Sequence, residues 1–404
     1  MSNIKNLEFN GLDISCAMYN EISNKLSNLF INHTFMDYKD KLIQFSNLKT
    51  LCIENIFLSE VFNINNVDFS SLLNLEKLSI ELMSYKDYFF LNKILLSSYN
   101  LIEFKLINSI EGENDDDSDL FEDDIYNDED NDEDEDDYEK YLKKNNKKLI
   151  DSISNLKNLQ SLIILNYSDI YHISTFIKIF ENYQFQQLKN LNVNCLSLNQ
   201  IQKFLEKNPN IEKIDLDIFP NKKKIKEKFN FINNENIRLK TIFLNFKFNK
   251  YQLQNMGSLY INISILQVIK IKNMFICNSC FKIFIDKNIS FDNLIEFELK
   301  NDNIDESKKE EKQNILIQFV DNFKNFKKLK IISILDRCID INFVNDFIKK
   351  NTLNLTKLKL ETKLENYDTD ILNDYFIDLF PDLKFLEKLK ISLENKERTN
   401  DYGN

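Results

Sequence analysis

Glycine and histidine are nearly missing from this 404-residue sequence, which has four glycines, three prolines, two histidines and no tryptophan. Gly11, Gly112, Gly257 and Gly403 lie too far apart to build a G-x-G-x-x-G turn or a Walker A loop, both of which need clustered glycines so that backbone can approach phosphate. That excludes a glycine-cradled nucleotide site. With His33 and His172 alone, a multi-histidine metal centre and the zincin helix motif are excluded as well. No apolar run approaches the ~18 residues of a membrane helix. The start, MSNIKNLEFNGLDIS, has no continuous apolar stretch of the kind a secretory leader carries. The expectation is a soluble intracellular chain, cytoplasmic or nuclear, that does not engage membranes. Six cysteines scattered through such a chain read as reduced core residues rather than a disulfide framework.

What is present is a core-forming composition with an unusual rhythm. Hydrophobic residues make up 43%, which excludes a fully disordered chain. The richness in Asn, Lys, Ile and Phe reads as the coding bias of an A+T-rich genome, so single asparagines or lysines carry little weight. The spacing L-x-x-L-x-L recurs almost end to end, as LKTLCI at Leu48, LEKLSI at Leu75, LIEFKL at Leu101, LQSLII at Leu159, LKNLNV at Leu188 and IEKIDL at Ile211. It continues as LKTIFL at Leu239, LQVIKI at Leu266, LIEFEL at Leu294, FKKLKI at Phe326, LTKLKL at Leu355 and LEKLKI at Leu386. In an extended strand the alternate apolar residues point to one side, and stacked units of this kind share one core that no single unit could close.

These twelve units resemble the leucine-rich-repeat family over Leu48 to Leu393, in degenerate form. Between them lie helical spacings. Ile173, Phe176, Ile177 and Phe180 recur at i, i+3, i+4 and i+7, and the same pattern places Ile201, Phe204 and Leu205 together, then Phe343, Val344, Phe347 and Ile348. Strand and helix are thus expected to alternate throughout. The resemblance is to the ribonuclease-inhibitor-like and F-box-associated types. It implies an α/β solenoid, a horseshoe with parallel strands on the concave face and helices on the convex face. The asparagine or cysteine that the family motif places three residues beyond the last leucine is not kept; Ile56, Met83, Ser109, Tyr167 and Leu196 stand at the first five such positions. The array must therefore satisfy the backbone groups of that turn by other means. Residues 1–44 read as a cap or first irregular repeat, with a strand at NLEFNGLDI and a helix at EISNKLSNLFI. Residues 45–110 and 141–395 are read as repeats, and 396–404 as a flexible tail.

Charge is concentrated in the remaining segment, 111–140. Residues 113–139 hold 18 Asp or Glu and no Lys or Arg, leaving 46 acidic against 52 basic residues in the rest of the chain. Such a tract cannot bury enough apolar surface to order itself and reads as a disordered insertion. It is either a solvated low-complexity expansion or an arm that captures a basic partner through a salt-sensitive field. Between the core leucines, Lys270, Lys272, Lys300, Lys330, Lys359 and Lys390 fall at outward strand positions of the later repeats, with Asp215 and Asp217 in an earlier one. Their two readings are a solvated face and a partner-binding face. Lysine clusters at Lys140 to Lys148 and Lys222 to Lys228 read as exposed helix faces or import-like patches.

No constellation carries chemistry. Cys277-Asn-Ser-Cys280 is an isolated CxxC, half of a zinc site at most, and neither histidine adjoins a nucleophile motif. No catalytic residue, metal or cofactor is assigned. The expectation is a non-enzymatic scaffold that binds a protein partner through its strand face. Nucleic acid is disfavoured by the negative net charge and the lack of an arginine-rich helix. The resemblance to F-box-associated repeats suggests the substrate receptor of a ubiquitin ligase as an alternative, although residues 1–44 lack the leading Leu-Pro of an F-box. A small-GTPase regulator using Arg238 is a further alternative.

Overall fold

The computed structural model of the chain describes residues 5–10, 14–15, 25–32, 36–37, 46–55, 69–84, 87–110, 147–167, 179–181, 183–194, 196, 198–218, 229–231, 238–246, 259–261, 266–272, 293–301, 314, 318, 328–336, 355–364, 385 and 387–395. It divides into two compact units, Met1–Leu196 with Lys203–Asn210, and Ser197–Gln202 with Ile211–Asn404. The acidic tract, the pattern from Phe343 to Ile348, Cys277, Cys280 and both histidines lie outside the described residues.

In the first unit the strands are β1 (Asn6–Asn10), β2 (Ile14–Ser15), β3 (Asn28–Asn32), β4 (Met36–Asp37), β5 (Thr50–Glu54), β6 (Lys77–Leu82), β7 (Glu103–Asn108), β8 (Ser161–Asn166) and β9 (Asn190–Val193). Seven of these form one parallel ladder in the order β1-β3-β5-β6-β7-β8-β9, and β2 pairs with β4 beside it. Parallel neighbours require long connections, which the spacing of the leucine motif supplies. The register superimposes like on like. Leu29, Leu51, Leu78, Phe104, Leu162 and Leu191 make one row, and Ile31, Ile53, Ile80, Leu106, Ile164 and Val193 the next. All twelve side chains are buried. Each contributes ~1.5–3 kcal/mol by leaving water, but only because the neighbouring repeat covers it.

Helices add further buried apolar residues. The helix Asp87–Ser97 buries Phe90, Leu91, Ile94 and Leu95. Residues 147–154 are helical and bury Leu149 and Ile153. The helix Leu198–Lys207 buries Ile201, Phe204 and Leu205, the three residues its spacing had aligned. Within the first unit Phe204 meets Phe180 edge-on, with ring centroids 5.0 Å apart.

The second unit repeats the arrangement with β10 (Lys213–Ile218), β11 (Phe229–Phe231), β12 (Thr241–Phe246), β13 (Leu259–Ile261), β14 (Val268–Lys272), β15 (Glu296–Asn301), β16 (Ile331–Asp336), β17 (Lys357–Leu364) and β18 (Lys388–Asn395). Its parallel ladder runs β10-β12-β14-β15-β16-β17-β18, with β11 paired to β13. Ile214, Ile242, Ile269, Phe297, Ile332 and Leu358 form the matching buried row. The chain is therefore α/β, with short parallel strands stacked repeat on repeat, as a solenoid requires. Among the described residues helices are fewer than the expected alternation. Among the described residues, β2, β4, β11 and β13 place short strands in four crossovers.

Two further expectations are corrected. The segment EISNKLSNLFI carries strand β3, because LSNLFI is itself a full motif whose Leu26, Leu29 and Ile31 are all buried; helical and strand spacings overlap in it. At the tenth unit the motif is LKIISI from Leu329, three residues later than FKKLKI. The carbonyl of the residue immediately before a strand marks the register: Glu76 O accepts from Ile102 and Glu103, Gln267 O from Ile295 and Glu296, and Ile295 O from Lys330 and Ile331. Lys330 thus precedes β16 and is not an outward strand residue.

Candidate functional site

An outward strand side chain is one that alternates with the buried row. In the second unit these form two adjacent cross-strand rows. One reads Asp215, Phe243, Lys270, Glu298, Ser333, Lys359, Lys390, and the other Asp217, Asn245, Lys272, Lys300. Seven of the eight residues singled out in the sequence are thereby brought together on one face, Lys330 being the exception. They do not all behave as free charges. Lys270 Nζ contacts Glu296 at 2.6 Å and Glu298 at 3.4 Å. Burial draws its pKa down, but the bond to Glu296 and the two carboxylate charges outweigh this and hold the ammonium above its ordinary value.

Phe243 sits between two cations, with Lys213 Nζ 4.9 Å and Lys270 Nζ 5.4 Å from its ring centroid. Each such contact is worth ~0.5–1 kcal/mol at an exposed site. Beside it, burial raises the Asp215 pKa, with the like charge of Asp217 adding, while Lys213 and Lys272 oppose. Asp217 accepts a 2.7 Å bond from the amide of Asn245. These groups hold one another in place, and none is aligned with a nucleophile. Asp217 is thus a hydrogen-bond acceptor, and Asp215 lies in the field of Lys213 and Lys272.

The outward face of the first unit has its own cluster. Glu54 accepts from Lys105 Nζ at 2.8 Å and from Ser79 Oγ at 2.9 Å. Burial pushes the Glu54 carboxyl up, but those two bonds and the Lys105 charge outweigh it and keep the pKa below its usual value. The neighbouring Cys52 thiol is pushed up to about 11, first by burial and then by the charge of Glu54. It is a poor nucleophile at neutral pH, since the thiolate is the reactive form. Among the described residues no group of three His, Cys, Asp or Glu is placed to hold a metal, and no helix is long and apolar enough to cross a membrane.

Polar residues that sequence reasoning passed over stitch the turns. Asn74, Asn100 and Asn210, each directly before the first apolar residue of a motif, donate to the carbonyls of Ser46, Leu73 and Gln186 at 2.6, 2.9 and 2.9 Å. After the strands, Asn194 Oδ1 accepts the Asn166 N–H at 2.6 Å. Glu81 accepts both the Asn55 N–H and the Ser109 hydroxyl, and Asp87 accepts the N–H groups of Met83 and Ser84. Asn55 takes a φ of 57°, a left-handed value that asparagine tolerates. These bonds satisfy backbone groups at the turns before and after the strands. For the asparagines before the strands the signal was the recurrence of Asn immediately before the motif, at Asn47, Asn74, Asn100, Asn158, Asn210, Asn293 and Asn354, which compositional bias conceals. In comparisons with known proteins the sequence matches no family model and no curated protein.

Proposed function

We propose that the chain is a leucine-rich-repeat scaffold without chemistry of its own, binding a protein partner through the outward strand face of its second unit. One observation carries this reading: the in-register rows set Asp215, Asp217, Lys270, Lys272, Lys300, Lys359 and Lys390 side by side on one face. Repeat arrays recognise partners through such extended surfaces. In the full leucine-rich-repeat geometry this face is the concave side of a horseshoe, with helices on the convex side. The acidic segment 113–139 is proposed, on its charge alone, to add capture of basic partners.

Affinity purification from the native cell, with bound proteins identified by mass spectrometry, tests both parts. The intact chain is compared with Lys272→Glu/Lys300→Glu and with a form lacking 113–139. A partner lost only from the charge-reversed form supports the strand face, and basic partners lost only from the deletion support the acidic arm. An identical partner set in all three forms refutes both.

A further inference from the structure

On β17 and β18 two lysine rungs follow one another. Several lysines meet acids across neighbouring repeats, as Lys49 with Glu76 at 2.8 Å, Lys77 with Glu103 at 3.3 Å and Lys240 with Glu212 at 2.9 Å, and Lys272 opposite Lys300 makes a single like-charged rung. On the last two strands the register instead sets Lys357 directly opposite Lys388, and Lys359 opposite Lys390. Lys357, Lys388 and Lys390 are exposed and Lys359 is half-buried. Among the described residues none of the four lysine side chains has an ion-pair or hydrogen-bond partner. Like charges directly opposite in a sheet are destabilising. Two successive rungs of this kind concentrate positive charge, with Glu361, opposite Ser392, as the next outward residue of β17.

We propose that these four lysines bind an extended acidic peptide with carboxylates two residues apart, Asp/Glu-x-Asp/Glu. This rests on the strand-face reading above and names the chemistry of its partner. The geometry carries it. Successive outward residues on a parallel strand are ~6.6 Å apart and neighbouring strands ~4.8 Å apart. An extended peptide laid along the strands repeats its own side chains at that same ~6.6 Å interval, so each of two alternate carboxylates comes to lie between the two ammonium groups of one rung. The adjoining outward residues of β16, Ile331 and Ser333, add neither an aromatic ring to stack a base nor an arginine fork for phosphate, which favours a peptide over a nucleic acid.

Fluorescence anisotropy with the full-length protein tests this, at 50 and 300 mM salt. The labelled probes are an alternating peptide of glutamate and alanine, a blocked peptide of the same composition, and a single-stranded oligonucleotide of equal charge. The expected result is that the alternating peptide binds tightest and weakens at the higher salt. Lys357→Gln/Lys388→Gln and Lys359→Gln/Lys390→Gln should each weaken it about three- to tenfold, the scale of a few exposed charge contacts. Lys49→Gln, whose lysine already has a partner, should leave it unchanged. Equal binding by the quadruple Lys→Gln variant overturns the site, and equal or tighter binding of the blocked peptide or the oligonucleotide overturns the assigned ligand. If the charge-reversed Lys272→Glu/Lys300→Glu protein loses its cellular partners while no acidic peptide binds, the strand-face reading survives and only this inference falls. If neither experiment responds, both fall.

Discussion

The corrected register at β16 makes a prediction that two neighbouring isoleucines can decide. Ile332 is 1% exposed and stands in the buried row between Phe297 and Leu358, whereas Ile331 is half-buried on the outward side between Glu296 and Lys357. Ile332→Ala removes three carbons from a closed core and leaves a cavity. Substitutions of this type cost ~2–5 kcal/mol. Ile331→Ala removes the same atoms from a surface that already touches water, and the span of strand preferences limits its cost to ~1 kcal/mol. With a urea slope of ~3 kcal/mol/M, the first variant should lower the unfolding midpoint by ~1 M and the second by ~0.3 M or less. A repeat array can unfold in stages. The midpoint should therefore be read with hydrogen exchange of the β16 amides, where Ile332→Ala should show the larger loss of protection. Leu329 is inward in either register and cannot discriminate. If Ile331→Ala costs as much as Ile332→Ala or more, the motif begins at Phe326 after all and the reasoning fails.

Three other outcomes follow from single contacts. Asn208 is buried, accepts the Phe185 N–H at 2.6 Å and donates to Phe204 O at 2.8 Å, so Asn208→Ala strands a buried donor and should cost ~1–3 kcal/mol in urea unfolding, against under ~1 kcal/mol for Asn210→Ala in the exposed turn. Cys52, with its thiol near pKa 11, should be about one part in a thousand thiolate at pH 8, so peptide mapping after a brief iodoacetamide treatment of the native protein should find it unmodified. Rapid labelling would contradict its burial beside Glu54. The depressed Glu54 pKa means that this carboxylate stabilises the fold above its unfolded value of ~4.3, with the contribution lost as pH falls through the folded value. The urea midpoints of wild type and Glu54→Gln should therefore differ at pH 6 and converge toward pH 3; a gap that widens on acidification would reverse the assigned sign.

The amino-acid sequence by itself determined the strand positions in eleven of the twelve units read from it, because the alternation at the end of L-x-x-L-x-L, repeated unit after unit, puts its apolar residues on one side of a strand. It also determined which residues alternate outward, and so drew Asp215, Asp217, Lys270, Lys272, Lys300, Lys359 and Lys390 to one face. Tertiary structure decided where local pattern is degenerate. FKKLKIISI contains two overlapping motifs three residues apart, and only the bonds from Lys330 and Ile331 to the Ile295 carbonyl of the preceding repeat select between them. LSNLFI satisfies helical and strand spacing alike, and the pairing of Leu29 with Leu7 and Leu51 makes it a strand. Charge was legible as composition, but its pairing was not. Lys270 meets Glu296 and Glu298 while Lys359 faces Lys390, a contrast invisible along the chain because it depends on which residues the parallel register sets across the ~4.8 Å between neighbouring strands.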